Sequence, residues 1–513
     1  MPRRTQLTAL AATMLLAACG STVQTRTTAS LGTTGDAGLT ADQPSLAPGT
    51  TGAAPSGATT GGVAGSGSTP VASNGRPAVG VASDAPAVPG SLAAKGIGWD
   101  ATSVYLGVST EEDLSAAVGA LGLNFNPGSI QGDVRALVAD INARGGVLGR
   151  KLVPVFHDNN SANMNANPEA AAAANCADYT QDRHVVAVLN PVAPVDTDSF
   201  RQCLKAKRTP LFSNGYSTYD DSTYTKYGPY LWTALMPSVS RFVPSWVPHL
   251  QSAGYFGGWS TTSGTAAATR PSVGVMEPDT TSGHTIATLL TAALKKAGIT
   301  IGATYFYAEN SGSYSTDMSS AILKFRSAGV THLMDITNIA APVLIFAETA
   351  QQQRYFPRYG MSSWLLPNQA ASLFQQGGVA QQLNGAIGVG WTPGGDVNAA
   401  QDAPQTPVQK ACQTALAKGG QTFSGDKDRY ALFVGYALCD DLRLLVGAMT
   451  ATRDLTPDAL ASGLVAASRD LPLAATFSSA LSATNHAVPG SYRVVAFDSG
   501  CTCFEYRGPA RPF

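Results

Sequence analysis

Between Gly20 and Gly98 the chain has no Phe, Tyr or Trp and only scattered charges; Thr, Gly, Ala, Ser and Pro make up the stretch. Such a composition cannot bury enough apolar surface to offset its conformational entropy, which excludes a folded domain there. A flexible tether is expected, with a root-mean-square reach on the order of 50 Å. Its glycine runs, Gly61-Gly62 and Gly65-Ser66-Gly67, are not phosphate loops, because no strand precedes them and no helix follows. Long hydrophobic runs are missing as well. Leu7 to Ala18 is apolar but too short for a bilayer core, which needs about 20 such residues, and no later segment reads as membrane-spanning. Excess charge is also absent: 33 Lys and Arg stand against 34 Asp and Glu, and no basic stripe interrupts that balance. Nucleic acid is therefore excluded as a partner.

What is present begins at the N-terminus. Arg3 and Arg4 precede the apolar run, and Leu16-Ala17-Ala18-Cys19-Gly20 closes it. A basic start, a short apolar stretch and small residues at its end are the parts of a signal peptide. The segment resembles the bacterial lipobox, which implies a diacylglyceryl group on Cys19 Sγ and Cys19 as the mature N-terminus. The expected location is the extracytoplasmic face of a cell membrane, reached through the lipid anchor alone. An ordinary secretory signal with a coincidental cysteine is the competing reading.

Six further cysteines remain, Cys176, Cys203, Cys412, Cys439, Cys501 and Cys503. An even number outside the cytoplasm favours disulfides, and six allow about 15 pairings. Pairing between sequence neighbours is expected, with Cys501 and Cys503 the difficult pair because so short a spacing strains the bridge. A zinc site is disfavoured, since no Cys-x-x-Cys occurs and His486 is the only histidine nearby in sequence.

Residues 99–513 exceed what one hydrophobic core usually serves, so two lobes are expected. Strand and helix signals alternate. Val104 to Val108 reads as a strand; Val134, Leu137, Val138 and Ile141 then recur at the spacing of one helical face, and Gly145-Gly146 ends that helix. Leu152 to Phe156, His184 to Leu189 and Thr209 to Ser213 read as strands, separated by helices Pro168 to Tyr179 and Thr197 to Ala206. A second series has strands Ser272 to Met276, Gly302 to Ala308, Thr331 to Ile336 and Ala386 to Trp391. Its helices are Ser282 to Ala297 and the face Met318, Ala321, Ile322 and Phe325, which Gly329 ends. A helical stretch over Tyr430 to Thr450 and a hairpin of Ser491 to Phe497 with Thr502 to Tyr506 complete the chain. The fold class is α/β, with two doubly wound parallel-sheet lobes joined by a multi-crossing hinge. Residues 99–232 with 392–480 are expected to form one lobe, and 233–391 with 481–513 the other.

The run Ile141-Asn142-Ala143-Arg144-Gly145-Gly146-Val147-Leu148-Gly149-Arg150-Lys151-Leu152 closely resembles the helix, glycine turn and strand of type I periplasmic binding proteins of the branched-chain amino-acid-binding kind. Ala321 to Ile336 looks like its second-lobe counterpart. The resemblance implies a monomeric solute-binding subunit of an ABC importer, which closes two lobes on a small molecule and presents it to a permease. A sensor ectodomain of the same fold, acting through a partner protein, is the alternative. A secreted hydrolase is the rival from another class. Gly-x-Ser-x-Gly and His-Glu-x-x-His are absent, and Ser424-Gly425-Asp426-Lys427 lacks the companion motifs of a Ser-x-x-Lys enzyme. The chain is expected to bind rather than catalyse, without cofactor or metal.

Ligand groups in such a fold stand at the C-terminal ends of strands. Those expected are Phe125 and Asn126 after the first strand, Asn190 and Val192 after the third, and Asn214 and Tyr216 after the fourth. The second lobe would add Ser282, Asn338 and Trp364. The asparagines donate and accept, while Phe125, Tyr216 and Trp364 would supply walls. Two departures from the family bear on the ligand. Asn190-Pro191-Val192-Ala193-Pro194 has no hydroxyl and two prolines without an N–H, and Gly360-Met361-Ser362-Ser363-Trp364 has no acid to balance an ammonium. A neutral or aromatic-containing solute is expected instead of a standard α-amino acid.

Overall fold

The computed structural model describes residues 95–119, 126–215, 217–309, 312–336, 340–469 and 471–513. Cys19, the expected tether up to residue 94, Phe125, Tyr216 and Asn338 lie outside the described residues. At the expected tether's end, 95–98 already belongs to the fold: Gly96 N donates to Trp99 O at 3.0 Å, and Tyr105 N donates to Gly98 O at 2.7 Å.

The first series runs β1 (Ser103–Thr110), α1 (Leu114–Gly119), α2 (Ile130–Ala143), β2 (Lys151–Asp158), α3 (Ser161–Ala166), α4 (Pro168–Ala177), β3 (Ala187–Asn190), α5 (Asp198–Ala206), β4 (Leu211–Ser213), α6 (Asp221–Tyr227) and β5 (Leu231–Trp232). The second begins with α7 (Val239–Ser252), the short hairpin β6 (Trp259–Ser260) and β7 (Thr265–Ala266), β8 (Ser272–Pro278), α8 (Thr281–Lys296), β9 (Thr300–Tyr307), α9 (Tyr314–Ser327) and β10 (His332–Met334). It continues through α10 (Ala340–Gln352), β11 (Arg358–Ser362), α11 (Pro367–Gln376), β12 (Ile387–Gly390) and α12 (Pro393–Asp396). Helices α13 (Pro407–Lys418), α14 (Arg429–Thr452) and α15 (Pro457–Ser468) precede the hairpin β13 (Ser491–Asp498) and β14 (Cys503–Pro512).

Two sheets result, and they repeat one topology. The first is all parallel in the order β2-β1-β3-β4-β5. In the second, β9-β8-β10-β11-β12 has the same order and is likewise parallel, with β13 and β14 added antiparallel at the β12 edge. The order reverses between β1 and β3, and again between β8 and β10. Ligands of open α/β sheets bind at such reversals, beyond the strand C-termini.

The Ile141–Leu152 motif has a mechanical reading. Ile130, Val134, Leu137, Val138 and Ile141 bury one face of α2, and Ser129 caps it by accepting from Gly132 N at 3.0 Å. Gly145 and Gly146 then take φ of 104° and 70°. A Cβ on Gly146 would stand 2.0 Å from Arg150 O, so neither the turn nor the space admits a side chain. Asn142 locks the helix end to β2, donating to Leu152 O at 2.9 Å and accepting from Leu152 N at 2.8 Å. In the second lobe Gly329 (φ 64°) ends α9 and Val330 N returns to Phe325 O at 2.9 Å.

The chain crosses between sheets after β5, after β12 and before β13. Helices α13 and α14 pack on α2; Gly419 lies against Ala136 and Gly435 near Asp133. An aromatic cluster fills the junction: Trp364 lies 4.9 Å from both Phe242 and Trp391, and Phe242 5.2 Å from Trp391. The six cysteines form three bridges between sequence neighbours. Cys176–Cys203 joins α4 to α5 and Cys412–Cys439 joins α13 to α14, while Cys501–Cys503 sits at the β13–β14 turn. Among the described residues no helix is long and apolar enough to cross a membrane.

Candidate ligand-binding site

The β3 end places Asn190 inside the protein. Its backbone O accepts from Asn214 N at 2.9 Å and its Oδ1 from Val192 N at 3.3 Å, so the side chain shapes the Asn190–Val192 turn. Asn190 Nδ2 is buried without a partner. Asn214, just past β4, accepts from Ala234 N at 2.9 Å and donates to Asp441 Oδ2 on α14. Burial holds the Asp441 carboxyl well above the usual range, against the Asn214 bond, and its Oδ1 has no partner. The neighbouring Asp440 accepts from Ala474 N and Ala475 N at 2.8–2.9 Å and is pushed up to about 6 by burial.

In the second lobe, Glu277 at the end of β8 reaches across the reversal and accepts from Ile336 N, just past β10, at 3.0 Å. Its other oxygen, Oε2, is buried without a partner. Burial first, and the adjacent Asp335 second, hold this carboxyl well above the ordinary range. Ser362 Oγ, at the end of β11, is likewise buried and unpartnered. Ser363 is spent internally, donating to Asp396 at 2.8 Å, and Tyr506 donates to the same carboxyl at 2.6 Å. Burial outweighs these donors and pushes Asp396 up to about 7.

Second-lobe residues touch the loop after β4 directly. Ser282 Oγ donates to Thr218 O at 2.9 Å and lies 2.7 Å from Thr218 Oγ1, while Trp364 Nε1 donates to Ser217 O at 3.3 Å. The C-terminal edges of the two sheets therefore converge. Each unpartnered buried polar atom costs about 1–3 kcal/mol. Asn190 Nδ2, Asp441 Oδ1, Glu277 Oε2 and Ser362 Oγ thus make these edges costly unless a ligand or water completes them.

Asn190, Val192 and Asn214 lie at and beyond the ends of the neighbouring strands β3 and β4, and Ser282 and Trp364 touch the loop after β4. Two expectations need correction. Asn126 does not follow the first strand, because α1 intervenes; it is exposed, donating to Asp428 Oδ1 at 3.1 Å and accepting from Gly128 N at 3.1 Å. Trp364 is a member of the aromatic core, with 1% of its surface exposed, instead of an open wall. The second lobe also does hold acids, on β8 and beside β10 instead of after β11. Glu277 was hidden at the end of an apolar run that reads as stopping at Met276. Asp441 was hidden in α14, whose pattern advertises only its apolar face.

A sequence profile described as periplasmic binding protein matches residues 113–502. No curated protein matches this sequence. Solved structures do. An ABC transporter substrate-binding protein from Desulfitobacterium hafniense in complex with Leu is 16% identical, with a TM-score of 0.53 over 79% of this chain and 100% of that one. A solute-binding protein of an ABC transporter from R. palustris in complex with 4-hydroxybenzoate is 13% identical, with a TM-score of 0.56 over 80% and 97%. A fatty acid ABC transporter substrate-binding protein from Thermomonospora curvata is 14% identical, with a TM-score of 0.55 over 82% and 95%. With the profile spanning most of the chain and both sheets in its fold, this protein belongs to the periplasmic binding protein family, of the type I, branched-chain amino-acid-binding-like kind.

Proposed function

We propose that this protein is the solute-capturing subunit of an ABC importer, a monomer anchored through lipid on Cys19 to the outer face of the membrane. In this reading it binds a small molecule between its lobes and hands it to a permease without converting it. The observation that carries the binding role is the pair of unpartnered buried polar atoms Asn190 Nδ2 and Glu277 Oε2, one beside each strand-order reversal. Asn190 Nδ2 asks for an acceptor on the solute, and with Oε1 accepting from Ile336 N the neutral form of Glu277 carries its proton on Oε2, where it can donate to the solute. Burial, with the adjacent Asp335, raises Glu277 well above the ordinary carboxyl range and disfavours its charged form, so it suits a hydroxyl or carbonyl better than an ammonium. The ligand class remains a neutral or aromatic-containing solute.

The tether fits this role, since a chain of its expected reach would hold the body near a permease at an effective concentration approaching millimolar. Calorimetric titration tests the ligand class. A hydroxylated aromatic or neutral amide should bind, and Glu277→Gln should keep that affinity within about tenfold, because Gln can still accept from Ile336 N while its NH2 donates where the neutral acid has its O–H. Micromolar binding of leucine, isoleucine or valine would overturn the assignment. Replacing Cys19 with Ala should leave solute affinity unchanged and abolish membrane retention, read by fractionation.

A further inference from the structure

The bridges divide sharply by location. Cys176, Cys412 and Cys439 are at most 4% exposed and Cys203 is half-buried, and each of their bridges spans 27 residues between two helices. Cys501–Cys503 spans 2, inside one turn. Stapling by a disulfide grows with the loop it closes, so this bridge constrains the unfolded chain least. The hairpin does not need it: the β13–β14 ladder runs from Asp498 opposite Cys503 to Ser491 opposite Pro512. Thr502, between the two bridged cysteines, sits at φ 53°, a left-handed conformation that a β-branched residue resists. Cys501 is exposed, whereas Cys503 is 3% exposed. Strained and exposed disulfides are the ones that exchange.

From this turn we infer that Cys501–Cys503 is a reversible dithiol–disulfide site whose partner is an exposed dithiol on another molecule. A thiolate of that dithiol attacks Cys501 Sγ, the Cys501–Cys503 bond breaks, and Cys503 leaves as a thiolate that takes up a proton. The second thiolate of the partner then attacks its own sulfur in the mixed disulfide and releases Cys501, which is also protonated. Two electrons and two protons pass to the bridge, and the partner is oxidised to a disulfide. The turn opens while the ladder behind it stays paired.

The full chain is held in graded ratios of reduced to oxidised dithiothreitol, quenched with an alkylating reagent and mapped by mass spectrometry. Cys501 and Cys503 should become alkylated at least tenfold faster than the other four cysteines, and at a ratio at least tenfold more oxidising. Reduction no earlier than Cys176–Cys203 and Cys412–Cys439 would overturn the inference. The direction of attack has its own readout. In Cys503→Ser the remaining Cys501 thiol should react with an aromatic disulfide reagent at least tenfold faster than the Cys503 thiol of Cys501→Ser; equal rates would contradict the assignment of Cys501 as the attacked sulfur.

Discussion

The two lobes share one parallel strand order and differ in what stands where that order reverses. At the ends of β1 and β2, Glu111 and Asp158 are each held by a donor, Ser161 Oγ at 2.7 Å and Thr110 Oγ1 at 2.8 Å, and that lobe's unpartnered acid oxygens, on Asp133 and Asp441, lie on helices α2 and α14. Beside β8 and β10, Glu277 keeps one carboxyl oxygen with no partner. The topology sets where a solute sits, whereas the side chains at the strand ends decide which of its groups are met. At the reversals the first lobe leaves the amide donor of Asn190 unpartnered, and the second leaves one oxygen of Glu277, a carboxyl that burial raises well above its ordinary range.

The aromatic cluster reaches the first lobe through Trp364, whose Nε1 donates to Ser217 O. Trp364→Ala removes a fully buried indole that packs on Phe242 and Trp391, and should cost about 3–5 kcal/mol. Denaturant unfolding should also lose its single transition if the lobes then melt separately. Next in size is the Cys176–Cys203 bridge, confined to the first lobe. Replacing both cysteines with Ser should cost about 3.5 kcal/mol in a chain-entropy account, and hydrogen exchange should rise around α4 and α5 but not in the second sheet.

Acid should separate the regions as well. His332 on β10 is buried, and that burial, with Arg358 beside it, lowers its folded value to about 4. The neutral ring is held by Tyr255 O at 2.9 Å and Thr331 Oγ1 at 2.8 Å. Below its unfolded value the denatured chain binds the extra proton. Stability is therefore lost as pH falls from about 6.5 to 4, by up to about 3 kcal/mol. Asp440 on α14 has the opposite sign. Its folded value is raised to about 6, so its neutral form favours the fold at low pH and that contribution fades as pH rises from about 4 to 6, by about 3 kcal/mol. Melting curves across about pH 4 to 6.5 should show His332→Gln removing a loss of stability on acidification and Asp440→Asn removing the opposing loss as pH rises. The smallest effects are the helix caps matched across the lobes: Ser129→Ala at α2 and Thr280→Ala at α8 should each cost about 1 kcal/mol, since each side chain accepts from a backbone N–H three residues on.

Where a local rule governed, the sequence was legible. The face Val134, Leu137, Val138, Ile141 is the buried stripe of α2, and Met318, Ala321, Ile322 and Phe325 are that of α9. Gly146 and Gly329 end their helices at positive φ, as the glycines announced. Local rules failed where distant segments meet. Helix α7 carries Pro244 and Pro248 inside it, which breaks any helical reading, yet its buried Phe242 and Trp246 hold it at the junction. Asn190 and Asn214 were found as strand ends, but the Asn214–Asp441 pair joins residues 227 apart in sequence, and no periodicity reports such a contact. Asn126 was misplaced because the short α1 was not separated from the turn that follows β1.

The central claim is that one solute completes both lobes at once. A thermal-shift titration of the wild type, Asn190→Ala and Glu277→Ala against neutral amides and hydroxylated aromatics tests it most directly. At 100 times its dissociation constant a true ligand should stabilise the wild type by about 2.7 kcal/mol, and each single variant should lose most of that shift. A ligand whose shift survived in both variants would bind elsewhere, and that result would contradict the account.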